Sequence, residues 1–124
     1  MIAIDTSAIV AILENEKEVN IFLEVLENDT EPIISAATFV ELQAVMKHKR
    51  GAEAMDIVLK FMELAEISIV PFTKDQAHLA SEAYARYSVL NLGDSFSYAL
   101  AKSKDIPLLY KGDDFSKTDL KSWS

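Results

Sequence analysis

Met1-Ile2-Ala3-Ile4-Asp5-Thr6-Ser7 opens the chain, and Ala8-Ile9-Val10-Ala11-Ile12-Leu13 follows it. The first four residues form a short apolar run, which predicts a buried strand that ends on an acid. The second block predicts a short helix. The same order of strand, turn and helix recurs outward along the chain. Val19, Phe22, Leu23 and Leu26 fall on one face of a helix between Glu16 and Asn28. Pro32-Ile33-Ile34-Ser35 predicts a second strand, with Ser35 capping a helix from Ala36 to Arg50 that stops at Gly51. Ala54, Ile57, Val58, Phe61, Met62 and Ala65 make another helical stripe. Ile67, Ile69 and Val70, before Pro71, predict a third strand.

Thr73-Lys74-Asp75-Gln76 fits a capping box. Its helix is expected to turn Ala77, Ala80, Ala83, Tyr84 and Tyr87 inward. Gly93-Asp94-Ser95 opens a further helix to about Lys104. Ile106-Pro107-Leu108-Leu109-Tyr110 predicts a fourth strand, and Lys111-Gly112-Asp113-Asp114 a turn. Strands that alternate with helices predict an α/β sandwich around a mostly parallel sheet. With 124 residues and no linker, repeat or low-complexity stretch, one domain over residues 1–124 is expected.

Composition narrows the function. Half of the residues are apolar, which excludes disorder as the main state. No apolar run approaches the ~18 residues of a membrane span, and the charge at Asp5 speaks against a secretory leader. The absence of cysteine excludes disulfides, thiolate catalysis and Cys-ligated zinc. A cytoplasmic location is expected. The net charge is −8, a poor electrostatic footprint for nucleic acid. A phosphodiester substrate would need local compensation, and a divalent metal is the usual source.

The acids fall where such a metal could sit. Ligands of open parallel sheets bind beyond the strands' carboxyl ends. Asp5 follows the first predicted strand, and Asp113 and Asp114 follow the fourth. Glu41 lies in the first turns of the helix after the second strand, and Asp94 starts the helix that leads into the fourth. All can reach one sheet edge. Singly, Asp5 and Asp94 also read as helix N-caps, and Asp113 and Asp114 as turn residues. Together they suit Mg²⁺ or Mn²⁺, which take oxygen ligands, lower the pKa of a bound water and stabilise charge on a phosphoryl oxygen. The expected chemistry is metal-dependent phosphodiester hydrolysis. Thr6 and Ser7 can orient a carboxylate, bind a phosphate or cap a helix. Lys47-His48-Lys49-Arg50 complements a helix C-terminus or forms a patch for an RNA backbone. His48 and His78 are too separate in sequence to suggest an acid–base pair. Trp123 reads as an anchor for the tail.

Four stretches resemble one family. Ile4-Asp5-Thr6-Ser7-Ala8, Ala37-Thr38-Phe39-Val40-Glu41-Leu42, Leu92-Gly93-Asp94-Ser95-Phe96-Ser97-Tyr98-Ala99-Leu100-Ala101, and Leu108-Leu109-Tyr110-Lys111-Gly112-Asp113-Asp114-Phe115 with Thr118-Asp119-Leu120 are similar to the acidic motifs of PIN-domain proteins. The compact length resembles the VapC toxin branch. That resemblance implies a three-layer α/β/α sandwich with a central, mostly parallel sheet of four to five short strands. It implies a metal-dependent endoribonuclease, the toxin of a type II toxin–antitoxin pair. Asp5, Glu41 and Asp94 would hold Mg²⁺ or Mn²⁺, with Asp113 or Asp114 as the fourth acid. It further implies an RNA substrate, a VapB-like antitoxin partner and a homodimer. Two rivals stand beside it: a phosphoacceptor receiver-like signalling domain with an acidic Mg²⁺ pocket, and a catalytically decayed PIN binding module.

Overall fold

A computed structural model describes residues 1–29 and 31–124. Four short strands, β1 (Ile2–Ile4), β2 (Pro32–Ser35), β3 (Ser68–Val70) and β4 (Leu108–Leu109), form one parallel sheet in the order β3-β2-β1-β4. Six helices join them: α1 (Thr6–Leu13), α2 (Val19–Asn28), α3 (Ala36–Arg50), α4 (Ala54–Leu64), α5 (Lys74–Arg86) and α6 (Leu92–Lys104). Among the described residues, no helix is long and apolar enough to cross a membrane.

Strand alternation divides the core in two. Ile2, Ile4, Ile34 and Leu109 face α1 to α4 and pack with Phe22, Leu42, Met46 and Val58. Ala3, Ile33 and Leu108 face the other way, against Ala83, Tyr98, Leu100 and Ala101 of α5 and α6. Successive side chains point to opposite faces, so a sheet covered on both sides needs apolar residues at every position. That is why the strands read as unbroken apolar runs, and it makes the expected three-layer α/β/α sandwich. β3 is an edge strand, and its Ile69 is exposed.

Three helix ends depart from the usual glycine turn. Asn15, Glu66 and Asp105 adopt φ of 53°, 55° and 54°. At each, the next residue's N–H reaches back to close the helix: Glu16 to Ala11, Ile67 to Met62 and Ile106 to Ala101, at 2.8, 3.0 and 3.0 Å. These are Schellman closures. The first starts α2 at Val19, later than the pattern from Glu16 predicts. The second and third aim the chain into β3 and β4.

α5 is rotated from expectation. Gln76, Ala80 and Ala83 are its buried residues, while Ala77 and Tyr84 face solvent. The apolar residues of this helix exceed one face, and the smallest ones are used where α5 meets α6. Thr73 caps the helix, accepting from Gln76 N at 3.1 Å. The Gln76 side chain does not complete the box; its Nε2 donates to Ser103 Oγ of α6 at 3.3 Å. Trp123 packs edge-on against Phe22 and Tyr110, bringing the tail onto both core clusters.

A left-handed residue with a side chain carries strain that glycine lacks. Glu66 is exposed, so Glu66→Gly is expected to stabilise the fold by about 1 kcal/mol. Urea unfolding checks this, and a fall in the midpoint would contradict the closure described.

Candidate functional site

β1 is flanked by β2 on one side and β4 on the other, so Asp5 emerges where the sheet's connections diverge. Such a switch point opens a crevice beyond the carboxyl ends of the strands. Asp5 is 3% exposed. Its Oδ2 accepts from Ser7 N at 3.0 Å and Ser7 Oγ at 2.6 Å, and its Oδ1 accepts from Ser97 Oγ at 2.5 Å. Thr38 Oγ1 lies 3.2 Å from Ser97 Oγ. The Ser97 proton is committed to Asp5, so Thr38 is the donor in that pair. Asp5 therefore caps α1 and is clamped from α6 as well.

Glu41 is half-buried and accepts from Thr6 Oγ1 at 2.6 Å. Thr6 and Ser7 thus spend their hydroxyl protons on carboxylates, the first of the roles their sequence position allowed. Gly93 makes room for Glu41: a Cβ there would stand 1.7 Å from Glu41 Oε2. Burial pushes the Glu41 carboxyl above its ordinary value; the Thr6 bond opposes that, and the charge of Asp5 adds to it.

Asp94 is not the N-cap of its helix, as one reading of the sequence had it. Asn91 is the cap, and the two form a reciprocal capping box: Asp94 N donates to Asn91 Oδ1 at 2.8 Å, and Asn91 N to Asp94 Oδ2 at 3.0 Å. The helix begins one residue earlier than Gly93 because Asn91 supplies the cap. Burial raises the Asp94 carboxyl to about 6, against the bond from Asn91 and with the charges of Asp5, Glu41 and Asp114. Asp5, Glu41 and Asp94 share one neighbourhood, lining the same hollow. The two candidates of the β4 turn, Asp113 and Asp114, are both exposed, and neither lines the hollow over the other acids.

The hollow over these acids has a volume of about 280 Å³. Asp5, Thr6, Ser7, Glu41 and Asp94 line it, with Val10 and Val45 as an apolar wall and Glu16 and Lys111 at the side. A larger cavity, about 550 Å³, lies between α2 and α4, lined by Leu23, Leu26, Phe61 and Leu64 among others. Glu27, Asp29 and Glu66 also line it, but none of the candidate site residues read from the sequence does. Lys47, His48, Lys49 and Arg50 are exposed on the last turns of α3 and do not line the smaller hollow. Arg50 Nη2 and Nε donate to Glu14 Oε2 at 2.6 and 2.9 Å. Asp119 ties the tail to α6, accepting from Tyr98 Oη at 2.6 Å and Lys102 Nζ at 2.8 Å; these bonds hold its carboxyl down at about 2.

Sequence reading missed Ser97, Asn91, Gly93, Glu16 and Lys111 as parts of this site. Ser97 had a signal: it stands three residues after Asp94, on the same helical face. Glu16 and Lys111 had none, since a loop brings each to the rim.

The donor set suits a hard dication in kind: carboxylate and hydroxyl oxygens, with no sulfur or imidazole. The space kept for Glu41 at Gly93 supports the fit. Among the described residues, no three His, Cys, Asp or Glu side chains stand close enough together to hold an ion as they are arranged.

A profile of the PIN domain matches residues 2–121. The chain belongs to the PIN-domain family. Ribonuclease VapC42 of Mycobacterium tuberculosis is 38% identical to this PIN domain over 125 aligned positions, covering 95% of each chain. Ribonuclease VapC28 of the same organism is 38% identical over 122 positions, covering 93% of this chain and 92% of the relative. Among solved structures, Mycobacterium tuberculosis VapC20, described as a sarcin–ricin loop cleaving toxin, superposes with a TM-score of 0.81 at 17% identity, covering 98% of this chain and 97% of that one. VapBC2 from Rickettsia felis, bound to a promoter DNA fragment, gives 0.78 at 17% identity over the full length of both chains.

Two outcomes follow from the geometry. The folded value of Asp94, about 6, lies above the ordinary 3.8. Protonation therefore favours the fold; the contribution is complete below about 3.8 and is lost as pH rises through about 6. Half-exposure to water reduces its size to about 1 kcal/mol. Urea titrations of metal-free protein are expected to show this decline, and a shallower one for Asp94→Asn; equal declines would detach Asp94 from the cluster. Gly93→Ala is expected to keep the thermal midpoint within about 3 °C, since alanine favours the helix. The same change displaces the Glu41 carboxylate and is expected to weaken Mn²⁺ binding in calorimetry. Undiminished Mn²⁺ affinity would show that Glu41 does not need that space.

Proposed function

We propose that this PIN domain is a metal-dependent endoribonuclease, the toxin of a type II toxin–antitoxin pair. The observation that carries the proposal is the meeting of Asp5, Glu41 and Asp94 at one hollow on the sheet's carboxyl edge. The relatives named ribonucleases support RNA as the substrate. The toxin–antitoxin complexes of the same fold support an antitoxin partner. Exposed Tyr84 and Leu92 offer apolar surface for the homodimer that this reading includes, which light scattering tests.

In this reading Asp5, Glu41 and Asp94 would hold Mg²⁺ or Mn²⁺, with Asp113 or Asp114 as the fourth acid. The ion, when bound, lowers the pKa of a water and neutralises charge on the phosphoryl group. The protein's own part is positioning. Ser7 and Ser97 fix the plane of the Asp5 carboxylate, so that little freedom is lost on binding. Thr6 sets Glu41, and the capping box sets Asp94. Asp94, raised by burial and by its neighbours' charges, would ionise more readily in that set.

The receiver reading fails on the fold. β3 is an edge strand followed by Pro71-Phe72-Thr73, and Asp75 lies exposed in α5. A decayed binding module is disfavoured by the presence of all four acids.

Asp5→Asn and Asp94→Asn are each expected to lower RNA cleavage in Mg²⁺ or Mn²⁺ by about 100-fold or more while the protein stays folded by circular dichroism. EDTA is expected to stop the wild type reversibly. Cleavage by Asp94→Asn at the wild-type rate would refute the proposal.

A further inference from the structure

Lys111 is the single cation among the residues lining the acidic hollow. Its backbone is registered to the acids: Lys111 N donates to Ser7 Oγ at 3.0 Å, and Ser7 Oγ donates to Asp5 Oδ2. Two hydrogen bonds therefore fix the root of this side chain relative to Asp5. Its ammonium is taken up by Glu16, with which it forms a short ion pair. Glu18 Oε1 lies 3.8 Å from the same nitrogen and, though buried, has no hydrogen-bond partner among the described residues. Glu16 and Glu18 sit just before α2, so the loop after α1 holds the loop after β4.

We infer that Lys111, and not the basic stretch at the end of α3, is the residue that takes an RNA phosphate at this site, and that Glu16 holds it until the RNA arrives. The inference rests on the nuclease reading above. A phosphodiester entering a hollow lined by Asp5, Glu16, Glu41 and Asp94 meets repulsion from four carboxylates. Lysine offers a compact charge with rotatable donors, suited to a phosphate oxygen that faces away from the acids. The Glu16 pair is partly exposed, with Lys111 38% and Glu16 30% accessible. Exposed pairs are weak and exchange readily for another anion. A phosphate that captures Lys111 leaves Glu16 free to turn to solvent.

The test is binding of a short single-stranded RNA to metal-free protein in EDTA, by fluorescence anisotropy across a salt series. Lys111→Gln is expected to weaken binding and to reduce the slope of log K against log salt by about 0.7, the share of one phosphate contact. Lys111→Arg, which keeps the charge, is expected to preserve the slope. Glu16→Gln is expected to tighten binding about 3-fold, the scale of an exposed ion pair. That gain is expected to vanish in the Lys111→Gln background, because a latch acts through Lys111 whereas a diffuse field does not. An unchanged slope in Lys111→Gln, or a Glu16→Gln gain that persists without Lys111, would overturn the assignment. If the wild type cleaves and binds RNA while Lys111→Gln binds equally well, only this inference falls. If the wild type neither binds nor cleaves RNA, both readings fall.

Discussion

Asp5, Glu41 and Asp94, brought to one edge of a parallel sheet, repel one another, and the surrounding structure is arranged to bear that repulsion. Asp5 is buried and accepts three hydrogen bonds, two from serine hydroxyls and one from a backbone N–H. Glu41 takes the Thr6 hydroxyl, and Asp94 takes a backbone N–H. The bonds to Glu41 and Asp94 favour their charged forms. They do not suffice for Asp94, whose carboxyl remains raised by burial and by its neighbours' charges. That residual strain is the feature a cation would relieve.

The helices contribute to the same end. α1, α3 and α6 start at the acidic edge, capped by Asp5, Ser35 and Asn91. Their free N–H groups and positive dipole ends favour negative charge there. Capping and function are therefore not competing descriptions of Asp5 and Asp94. The carboxylate that ends a strand caps the next helix, and the hydrogen bond that caps the helix fixes the carboxylate. A shared geometry explains why bland and functional readings of these residues coexist in one sequence.

Much of this was legible before any coordinates. The apolar runs at 1–4 and 32–35, each followed by helical periodicity, and the run at 106–110 point to buried strands. Asp5, Glu41 and Asp94 each occupied a place in that alternation that put them at strand ends or helix starts. Boundaries were less legible where the signal was geometric. Helices ended at Asn15, Glu66 and Asp105 without glycine, because backbone closures and the following strands impose the turn. In α5 the apolar residues outnumbered one face, so the buried set was settled by how closely small side chains let α5 approach α6.

Sequence by itself determined the alternation of strands and helices and the local placement of the acids, because period and position along a segment are local properties of the chain. Tertiary structure alone decided the partners. Ser97 reaches Asp5 across 92 positions, Lys111 reaches Glu16 across 95, and Arg50 goes to Glu14 across 36 instead of facing the hollow. These choices depend on how parallel strands bring remote loops to one edge, and no local pattern encodes the distance between two loops.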